Sequence, residues 1–327
     1  MSIKCLIIRF SSIGDIVLTS PVTRCLNQQL ENVEIHFVTK QKFASLVACN
    51  PYIDKIHLYN GNMKELISEL KTENFDHIID LHNNLRSRWI KLQLGKASTT
   101  LKKLNLRKFL LVYFKVNLLP QIHIVDRYLD TVNMFGVKND HKGLDCFIPE
   151  QEAFLLNNLP GPFKEGYLSF VIGSAWATKK LPVDKVIEII NGFNYPVVLL
   201  GGKEEYLEGE MIRQKTREMV VNLCGKLTLN QSSSLVRDAR VVLTNDTGLM
   251  HIAASFKKKI LSFWGNTIPL FGMYPYLADP ASLISEVHGL ECRPCSKIGK
   301  KVCPKGHFKC MMDQDVERVI QWVKDYY

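Results

Sequence analysis

Short apolar segments rich in Val, Ile and Leu alternate with helical patterns along the whole chain, and this alternation restricts the fold more than any other feature. It is typical of parallel α/β architecture, in which each strand is followed by a helix that covers the sheet. Strand candidates occupy residues 4–9, 34–38, 55–58 and 77–81, and then residues 167–172, 196–200, 220–223, 240–244 and 259–263. We therefore predict an α/β fold with two doubly wound parallel sheets.

The boundary between the two halves is predicted near residues 149–166, where proline and glycine residues interrupt the pattern. The first domain would then cover residues 1–155 and the second residues 156–312. A last helix, within residues 313–327, follows the end of the second sheet and is a candidate to pack back on the first domain. Open parallel sheets bind ligands at the carboxyl ends of their strands, so two such domains facing a cleft would hold one ligand each.

The composition is that of a soluble globular protein, with 46% apolar residues. The longest apolar segment, residues 109–122, contains Lys115, Asn117 and Pro120 and is shorter than the roughly 20 residues that a membrane span needs. Arg9 breaks the first apolar run, so a signal peptide is not expected. Five of the nine cysteines lie singly in apolar stretches, as buried thiols of a reducing compartment do. A cytoplasmic location is therefore expected.

The net charge of +10 is unevenly distributed along the chain. Residues 86–115 contain basic residues and no Asp or Glu. The basic residues of this region are Arg86, Arg88, Lys91, Lys96, Lys102, Lys103, Arg107, Lys108 and Lys115. Apolar side chains such as Leu106, Phe109 and Tyr113 stand between the charges. This mixture indicates a surface for anionic amphiphiles, although a solvated basic face has the same pattern. No DNA- or RNA-binding module is recognisable, so nucleic acid is not an expected partner.

The loop after the first strand contains Ser12, Gly14 and Asp15 and leads into a helix. Gly14 permits a tight turn, and the loop amides together with the helix N-terminus offer a weak anion site. Asp15 stands at the start of this helix, at the carboxyl end of the sheet. Its carboxylate fits either a helix cap or a general base, and the residues alone leave both interpretations open.

The loop after the strand at 240–244 is the most specific element of the second half. It reads Asn-Asp-Thr-Gly-Leu-Met-His and covers residues 245–251. Asp246 or Thr247 can cap the helix, Gly248 allows a ligand to approach the backbone, and Leu249 lies in the first turn. The exposed amides of that turn suit a diphosphate without a metal. His251 follows Thr247 by one helical turn and can reach the same phosphate, or it can simply pack against the helix.

Two further loops of the second half have polar side chains at the carboxyl end of the predicted sheet. The first contains Ser174, Thr178, Lys179 and Lys180, whose hydroxyl and ammonium groups suit phosphate oxygens. The second contains Glu205, whose carboxylate suits ribose hydroxyls. Neither G-x-G-x-x-G after the first strand nor G-x-x-x-x-G-K-[ST] anywhere is present, which argues against a standard dinucleotide-binding fold and a P-loop NTPase.

Together, three of these loops resemble one family. Ser-Ser-Ile-Gly-Asp at 11–15, Gly-Gly-Lys-Glu-Glu at 201–205 and Asn-Asp-Thr-Gly-Leu-Met-His at 245–251 have the order and spacing of glycosyltransferase family 9, the ADP-heptose:lipopolysaccharide heptosyltransferases. The resemblance covers nearly the whole chain, and its Asp-Thr-Gly-x-x-His element is the most specific part. It implies a GT-B fold with two Rossmann-like domains, inversion at the anomeric carbon, no catalytic metal and no required cofactor.

The resemblance also implies roles for individual residues. Asp15 resembles the catalytic base of the family, and Glu205 resembles the acid that contacts the ribose. Lys179 resembles the lysine that holds the donor phosphate. Family members usually have an aromatic residue before the proline, whereas Lys180 and Leu181 precede Pro182 here, so the resemblance does not distinguish the two lysines. The predicted diphosphate cradle consists of Asp246, Thr247, Gly248, Leu249 and His251.

A cysteine cluster near the C-terminus has ligand types that a structural zinc accepts. It comprises Cys292, Cys295, Cys303 and Cys310, with His307 between the last two. Its spacing is irregular for a zinc ribbon or finger. Free thiols and an oxidation-prone clasp are the alternatives, and the sequence predicts no catalytic metal.

The resulting hypothesis is an inverting transferase that moves a heptose from ADP-heptose to a phosphorylated, lipid-linked acceptor at the inner face of the cytoplasmic membrane. Acceptor contacts are assigned to Ser12, Gly14, Arg86, Lys102, Lys103, Arg107, Lys108 and Arg127. The alternatives are a sugar-nucleotide epimerase of the same two-domain plan and a non-catalytic protein that binds a nucleotide sugar.

Overall fold

The computed structural model describes residues 3–216 and 219–327, and these residues group into two compact units. The first unit consists of residues 1–103 and 122–147, and the second of residues 104–121 and 148–327. The sequence placed the boundary at residue 155 and left residues 104–121 in the first domain. The structure groups this segment with the second unit because its helix packs against residues of the second unit.

The first unit is built around a parallel five-stranded sheet in the order β3-β2-β1-β4-β5. The strands are β1 (Ile3–Ile8), β2 (Val33–Lys40), β3 (Lys55–Tyr59), β4 (His77–Asp80) and β5 (Ala97–Thr100). The helices of the first 130 residues are α1 (Ile13–Val17), α2 (Ser20–Gln29), α3 (Met63–Thr72), α4 (Leu85–Leu94), α5 (Asn105–Phe114) and α6 (Ile124–Leu129), of which α5 belongs to the second unit.

The second unit contains a parallel six-stranded sheet in the order β11-β10-β9-β6-β7-β8. Its strands are β6 (Leu168–Val171), β7 (Val197–Leu200), β8 (Val220–Asn222), β9 (Val241–Asn245), β10 (Lys259–Trp264) and β11 (Leu283–Glu286). Its remaining helices are α7 (Val183–Asn191), α8 (Tyr206–Lys215), α9 (Leu229–Asp238), α10 (Gly248–Ser255), α11 (Lys309–Met312) and α12 (Val316–Tyr326).

Both sheets are doubly wound, as the sequence predicted, and each has one point where the strand order reverses. In the first unit this switch point lies between β1 and β4, and in the second it lies between β6 and β9. Ligands of open α/β sheets bind outside the carboxyl ends of the strands at such points. The loops after these four strands are therefore where a functional site is expected.

Helix α12 has one strongly apolar face, and that face packs within the second unit. Val319, Trp322 and Val323 are buried in the same core cluster as Val186 and Ile189 of α7. The sequence instead made this helix a candidate for the first domain. The pattern of residues 313–327 predicts an amphipathic helix, but it does not indicate which part of the protein its apolar face packs against.

A buried ion-pair cluster fixes the last segment of the first unit to α2. Arg24 Nε lies 2.7 Å from Asp140 Oδ2, its Nη2 donates to the Gly143 carbonyl at 2.7 Å, and its Nη1 pairs with Asp145. The Arg24 side chain is only 3% exposed. Burial raises the pKa of Asp140, but the hydrogen bonds from Arg24 outweigh burial, and the pKa falls to about 2.

We expect Arg24→Met to lower the free energy of unfolding by about 3 kcal/mol, because two carboxylates lose a buried partner. The matched control is Arg213→Met, whose exposed pair with Glu210 should contribute less than about 0.5 kcal/mol. Urea unfolding at pH 7 measures both. Because the folded-state pKa of Asp140 is depressed, its contribution is present above its unfolded pKa and is lost as the pH falls from about 4 towards 2. An Arg24→Met effect that stayed constant over that range would contradict this assignment.

Helix α5 packs one side against the rest of the second unit, and its opposite side is exposed to solvent. Leu111 and Val112 form a cluster with Phe271, and the Lys115 ammonium donates to the carbonyls of Cys292 and Pro294. The opposite side carries exposed Leu106, Phe109, Tyr113 and Phe114. We call these four residues the apolar face of α5. Among the described residues, no helix is both long enough and apolar enough to cross a membrane.

Candidate active site

Asp15 lies at the switch point of the first unit, in the loop and first turn that follow β1. Its Oδ1 is 2.7 Å from an Arg9 guanidinium nitrogen, and its Oδ2 accepts from the Ser12 amide at 3.1 Å and the Ser12 hydroxyl at 2.8 Å. The Asp15 side chain is 22% exposed. A carboxylate has about four lone-pair positions, and these contacts use three of them. One position is left for a hydroxyl that approaches from solvent.

The protonation state of Asp15 follows from the same contacts. Burial of its carboxyl raises the pKa, but the charge of Arg9 and the hydrogen bonds from Ser12 outweigh burial, so the pKa lies below its ordinary value. The group is therefore an ionised carboxylate at neutral pH. The contact with the Ser12 amide is also a helix-capping bond. Both interpretations of Asp15 that the sequence left open are thus compatible with this geometry.

Arg9 and His82 adjoin Asp15, and the sequence predicted neither as a site residue. Arg9 is 7% exposed, and besides Asp15 it donates to the carbonyls of Ser11 and Leu81, which fixes its guanidinium. His82 follows β4, and burial together with the charges of Arg9 and Lys103 lowers its pKa to about 4. Its imidazole is neutral at pH 7. The only signal for both was their position at the ends of two neighbouring strands, β1 and β4.

The residues assigned to the acceptor are distributed over both units. Gly14 is buried in α1, and Arg86 is exposed with its guanidinium 5.7 Å from the centroid of the Tyr59 ring. Lys103 has a lowered pKa because of burial and the nearby charge of Arg9. Arg127 is 8% exposed and donates to the Lys102 carbonyl, so its guanidinium supports the backbone.

Arg107 and Lys108 belong to α5 in the second unit. Lys108 lies 5.1 Å from the centroid of the Phe271 ring. The sequence gave no reason to assign Arg107 and Lys108 to a different unit from the basic residues before them. The basic run continues without a break across the boundary between the units.

The switch point of the second unit has an ion pair between the loop after β6 and the loop after β9. Lys179 Nζ is 2.5 Å from Asp246 Oδ2, and the same oxygen accepts from the Thr267 hydroxyl at 2.9 Å. The Lys179 and Asp246 side chains are 15% and 11% exposed. An ammonium has three N–H donors, so Lys179 keeps two for another anion while Asp246 fixes its position.

Lys180 points to a different group of acids. Its Nζ lies 3.1 Å from Glu205 Oε1 and 2.6 Å from Glu208 Oε2. Glu205 Oε2 accepts from the Gly202 amide at 2.8 Å, which fixes the carboxylate at the carboxyl end of β7. A Cβ at Gly201 would lie 2.9 Å from the Glu205 Cβ, so a larger residue there would displace this acid. The two lysines, which the sequence could not distinguish, therefore have different partners.

The first turn of α10 lies beside Lys179. Its N-cap residue Thr247 makes no capping hydrogen bond with its own side chain, and Thr247, Gly248 and Leu249 are partly exposed. Asn245 fixes the start of this loop, because its amide donates to the Ile172 carbonyl and accepts from the Leu181 amide. His251 is 3% exposed and lies on the same helix. The Met250 amide donates to the Thr247 carbonyl, and the anion site that the sequence predicted at this turn stays a prediction.

Two buried polar side chains near these loops have no hydrogen-bond partner among the described residues. They are the Ser174 hydroxyl, after β6, and the amide of Asn266, after β10. Buried polar groups are rarely left without a partner, which makes both candidates for ligand contacts. Ser174 was predicted and Asn266 was not. The predicted Thr178 hydroxyl, in contrast, is engaged by the backbone of Lys300.

The four C-terminal cysteines all belong to the second unit and are thiols in this structure. Burial, followed by the nearby Cys292 and Cys303, raises the pKa of Cys295, and burial raises that of Cys310 to about 11. Cys292 Sγ lies 3.8 Å from His307 Nε2. Over residues 3–216 and 219–327, no three of these sulfur atoms lie within 4.8 Å of one another. The zinc interpretation of these cysteines stays a prediction.

The two doubly wound domains, with polar loops at both switch points, define a protein of the GT-B glycosyltransferase class. Residues 63–305 match the sequence profile of glycosyltransferase family 9 (heptosyltransferase), and the chain belongs to this family. The family and fold that the motifs predicted are thereby confirmed. The chain is a glycosyltransferase, which favours the main interpretation over an epimerase or a non-catalytic binding protein.

Individual relatives agree with this assignment. Lipooligosaccharide heptosyltransferase 2 of Haemophilus influenzae is 27% identical over 87% of this chain and 89% of its own length. Lipopolysaccharide heptosyltransferase 1 of Pseudomonas aeruginosa is 25% identical over 92% of this chain and 87% of its own length. The solved structure of Escherichia coli ADP-heptose lipopolysaccharide heptosyltransferase II has a TM-score of 0.75 at 19% identity and covers 99% of this chain and 98% of that one.

Proposed function

We propose that the protein transfers a heptose from ADP-heptose to a sugar of the lipopolysaccharide inner core, with inversion and without a catalytic metal or cofactor. The names of the relatives support the donor and the acceptor class. The single observation that carries the chemistry is the Asp15 carboxylate, which is ionised, held by Arg9 and Ser12, and has one open acceptor position.

The reaction is a single displacement. The acceptor hydroxyl oxygen attacks the anomeric carbon of the donor, the bond from that carbon to the phosphate oxygen breaks, and ADP leaves. Asp15 takes the hydroxyl proton, which makes the oxygen a better nucleophile as the new bond forms. Attack from the face opposite to the leaving group inverts the anomeric configuration.

The second unit binds the donor and stabilises the charge that grows on ADP. Lys179 directs its two remaining N–H groups to the diphosphate, and the first-turn amides of α10 contact the same group. Asp246 is itself an anion, so its role is to position Lys179. Glu205, fixed by Lys180 and Gly202, accepts from the ribose hydroxyls. Ser174, Asn266 and His251 complete the donor site.

The test is ADP release from the purified protein with ADP-heptose, with and without a deep-rough lipopolysaccharide acceptor. We expect release that depends on the acceptor and survives EDTA. Acceptor-independent loss of ADP-heptose without ADP release would indicate an epimerase. Activity that EDTA abolishes and a divalent cation restores would contradict the metal-independent mechanism.

The membrane-facing surface is proposed to include the apolar face of α5. Leu106, Tyr113 and Phe114 are 72%, 65% and 64% exposed, although they are large and apolar. Lys297 Nζ lies 5.7 Å from the centroid of the Phe109 ring, and Arg107 is also exposed beside it. Apolar side chains surrounded by basic ones suit the headgroup region of an anionic bilayer. This surface would place the enzyme at the inner face of the cytoplasmic membrane, next to a lipid-linked acceptor.

We expect the triple variant Leu106→Ser/Tyr113→Ser/Phe114→Ser to lower the partition coefficient on phosphatidylglycerol-containing vesicles by about tenfold or more, since full burial of each such side chain is worth about 1.5–3 kcal/mol. The matched control is Leu207→Ser/Met211→Ser on α8, whose side chains are equally apolar and also exposed. Vesicle co-sedimentation measures both. Equal binding of the α5 variant and the wild type would exclude this surface.

A further inference from the structure

Two buried histidines of the first unit face each other on the side of the sheet that α3 covers. His36 lies on β2 and His57 on the edge strand β3, and neither ring is exposed. His36 Nδ1 is 2.9 Å from His57 Nε2. Both rings also pack against Phe75, at centroid distances of 5.1 and 6.2 Å. Neither ring belongs to the transfer site proposed above.

The outer nitrogen of each ring is held by a carboxylate. His36 Nε2 lies 2.7 Å from Glu34 Oε1, and His57 Nδ1 lies 2.5 Å from Glu69 Oε1. A carboxylate in this position fixes the tautomer, because the ring nitrogen beside it must carry the proton. In neutral rings, the two nitrogens that face each other then both present lone pairs. Two lone pairs at 2.9 Å repel, so either a proton or a metal cation lies between them.

A third ligand group adjoins the two nitrogens. A Glu73 carboxylate oxygen lies 3.9 Å from His36 Nδ1, and the ligand atoms of His36, His57 and Glu73 all lie within 4.8 Å of one another. Lys55 Nζ lies 2.5 Å from the other Glu73 oxygen, Oε1, which orients the carboxylate.

The charges around the cluster favour a cation. The carboxylates of Glu34, Glu69 and Glu73 surround it, and the ammonium groups of Lys4 and Lys55 pair with Glu73 at 3.3 and 2.5 Å. With neutral histidines the group has one net negative charge. Zinc bonds to imidazole nitrogen at about 2.0–2.1 Å, which places two nitrogens about 3.4 Å apart in a tetrahedron. The observed 2.9 Å therefore needs only a small separation of the rings.

We propose that His36, His57 and Glu73 form a structural site for a borderline divalent metal, with Zn²⁺ as the expected ion. The two imidazoles and one carboxylate are ligands that zinc accepts, and Glu34 and Glu69 orient the imidazoles. The site joins β2, β3 and the residue after α3. It would hold the edge strand β3 and α3 to the sheet. Asp15 follows the carboxyl end of β1 and is not part of this cluster, so the metal site is separate from the proposed catalytic site.

The first experiment measures zinc in protein that has no affinity tag, after dialysis against ZnCl₂ and then against metal-free buffer. We expect one zinc per chain and a melting temperature about 5 °C above that of the chelator-treated protein, because a ligand that binds only the folded state stabilises it. Cobalt substitution should give the visible bands of a four-coordinate site without the sulfur-to-cobalt charge transfer that cysteine ligands add.

Variants locate the ion. His57→Gln and Glu73→Gln should each lose the zinc and the thermal shift. The matched control is His77→Gln, which removes a buried histidine of the same sheet that bonds Thr99 and not the cluster, and it should keep both. Cys292→Ser/Cys303→Ser should also keep both. Circular dichroism and ADP binding by the second unit confirm that each variant is folded.

Two outcomes would overturn the proposal. Zinc retained by folded His57→Gln and lost by Cys292→Ser/Cys303→Ser would place the metal at the cysteines. No zinc in the dialysed wild type, together with no thermal shift, would mean that a proton occupies the space between His36 and His57.

Discussion

Asp15→Asn is expected to lower kcat by about 10²–10⁴-fold while the dissociation constant of ADP-heptose changes less than about threefold. The magnitude is that of a lost general base. Asparagine has the same shape but cannot accept the hydroxyl proton at neutral pH. Donor binding is unaffected in this expectation because the donor loops belong to the second unit. Single-turnover ADP release and donor titration with the same preparation measure the two quantities.

A purely structural role for Asp15 predicts something different. Asn would leave the buried Arg9 without its carboxylate, so the variant would melt earlier, but the folded fraction would keep its kcat. Ser12→Ala serves as the comparison, because it removes one hydrogen bond to Asp15 and leaves the carboxylate in place. We expect a loss of about tenfold there. An Asp15→Asn enzyme with near-normal turnover would rule out Asp15 as the base.

The pH profile gives a second readout for the same residue. Since the pKa of Asp15 is depressed, the base form is present above that pKa and is lost only as the pH falls through it. The wild-type kcat/KM should therefore show no limb from Asp15 between pH 6 and 8. An acidic limb centred near pH 6 in the wild type that moved to higher pH in Ser12→Ala would identify it as the Asp15 titration and contradict the predicted direction of the shift.

The fold was predictable because buried parallel strands and amphipathic helices leave strong periodic patterns. The nine predicted strands all occur, from β1 to β10 without β5. The sequence missed β5, whose Ala-Ser-Thr-Thr segment is short and polar at the edge of the sheet, and β11, another edge strand. The single helix predicted after the first strand is two helices, α1 and α2, because Pro21 cannot donate a backbone hydrogen bond to the turn before it.

The site was only partly predictable, since spacing identifies loops but not partners. Asp15, Lys179 and Asp246 could be proposed from the sequence because they follow strands at the switch points. The direction of the backbone after the turn Ala177–Lys179 decides which lysine faces which acid. Because Lys179 and Lys180 are adjacent, the sequence pattern does not indicate that direction. The membership of α5 in the second unit depends on its packing against Phe271, more than 150 residues away in the sequence.

Lys179→Met is expected to lower kcat by about 10³-fold, because its two remaining N–H groups stabilise the charge that develops on the leaving ADP. The ion pair with Asp246 fixes the ammonium before the donor binds, so no reorganisation is needed during the reaction. The loss should appear in kcat rather than in KM, since the interaction strengthens in the transition state. Steady-state kinetics with varied ADP-heptose at saturating acceptor measures both constants.

The neighbouring lysine is the matched control, because it has the same chemistry one residue along the chain. Lys180→Met leaves Glu205 and Glu208 without their cation, which should weaken ribose binding and raise KM about tenfold while kcat stays within about threefold. Asp246→Asn should lower kcat by less than Lys179→Met does. In that variant Lys179 keeps a neutral hydrogen-bond partner, but its ammonium is held less firmly in place. If instead Lys180→Met lowered kcat a thousandfold and Lys179→Met raised only KM, the phosphate and ribose assignments of the two lysines would have to be exchanged.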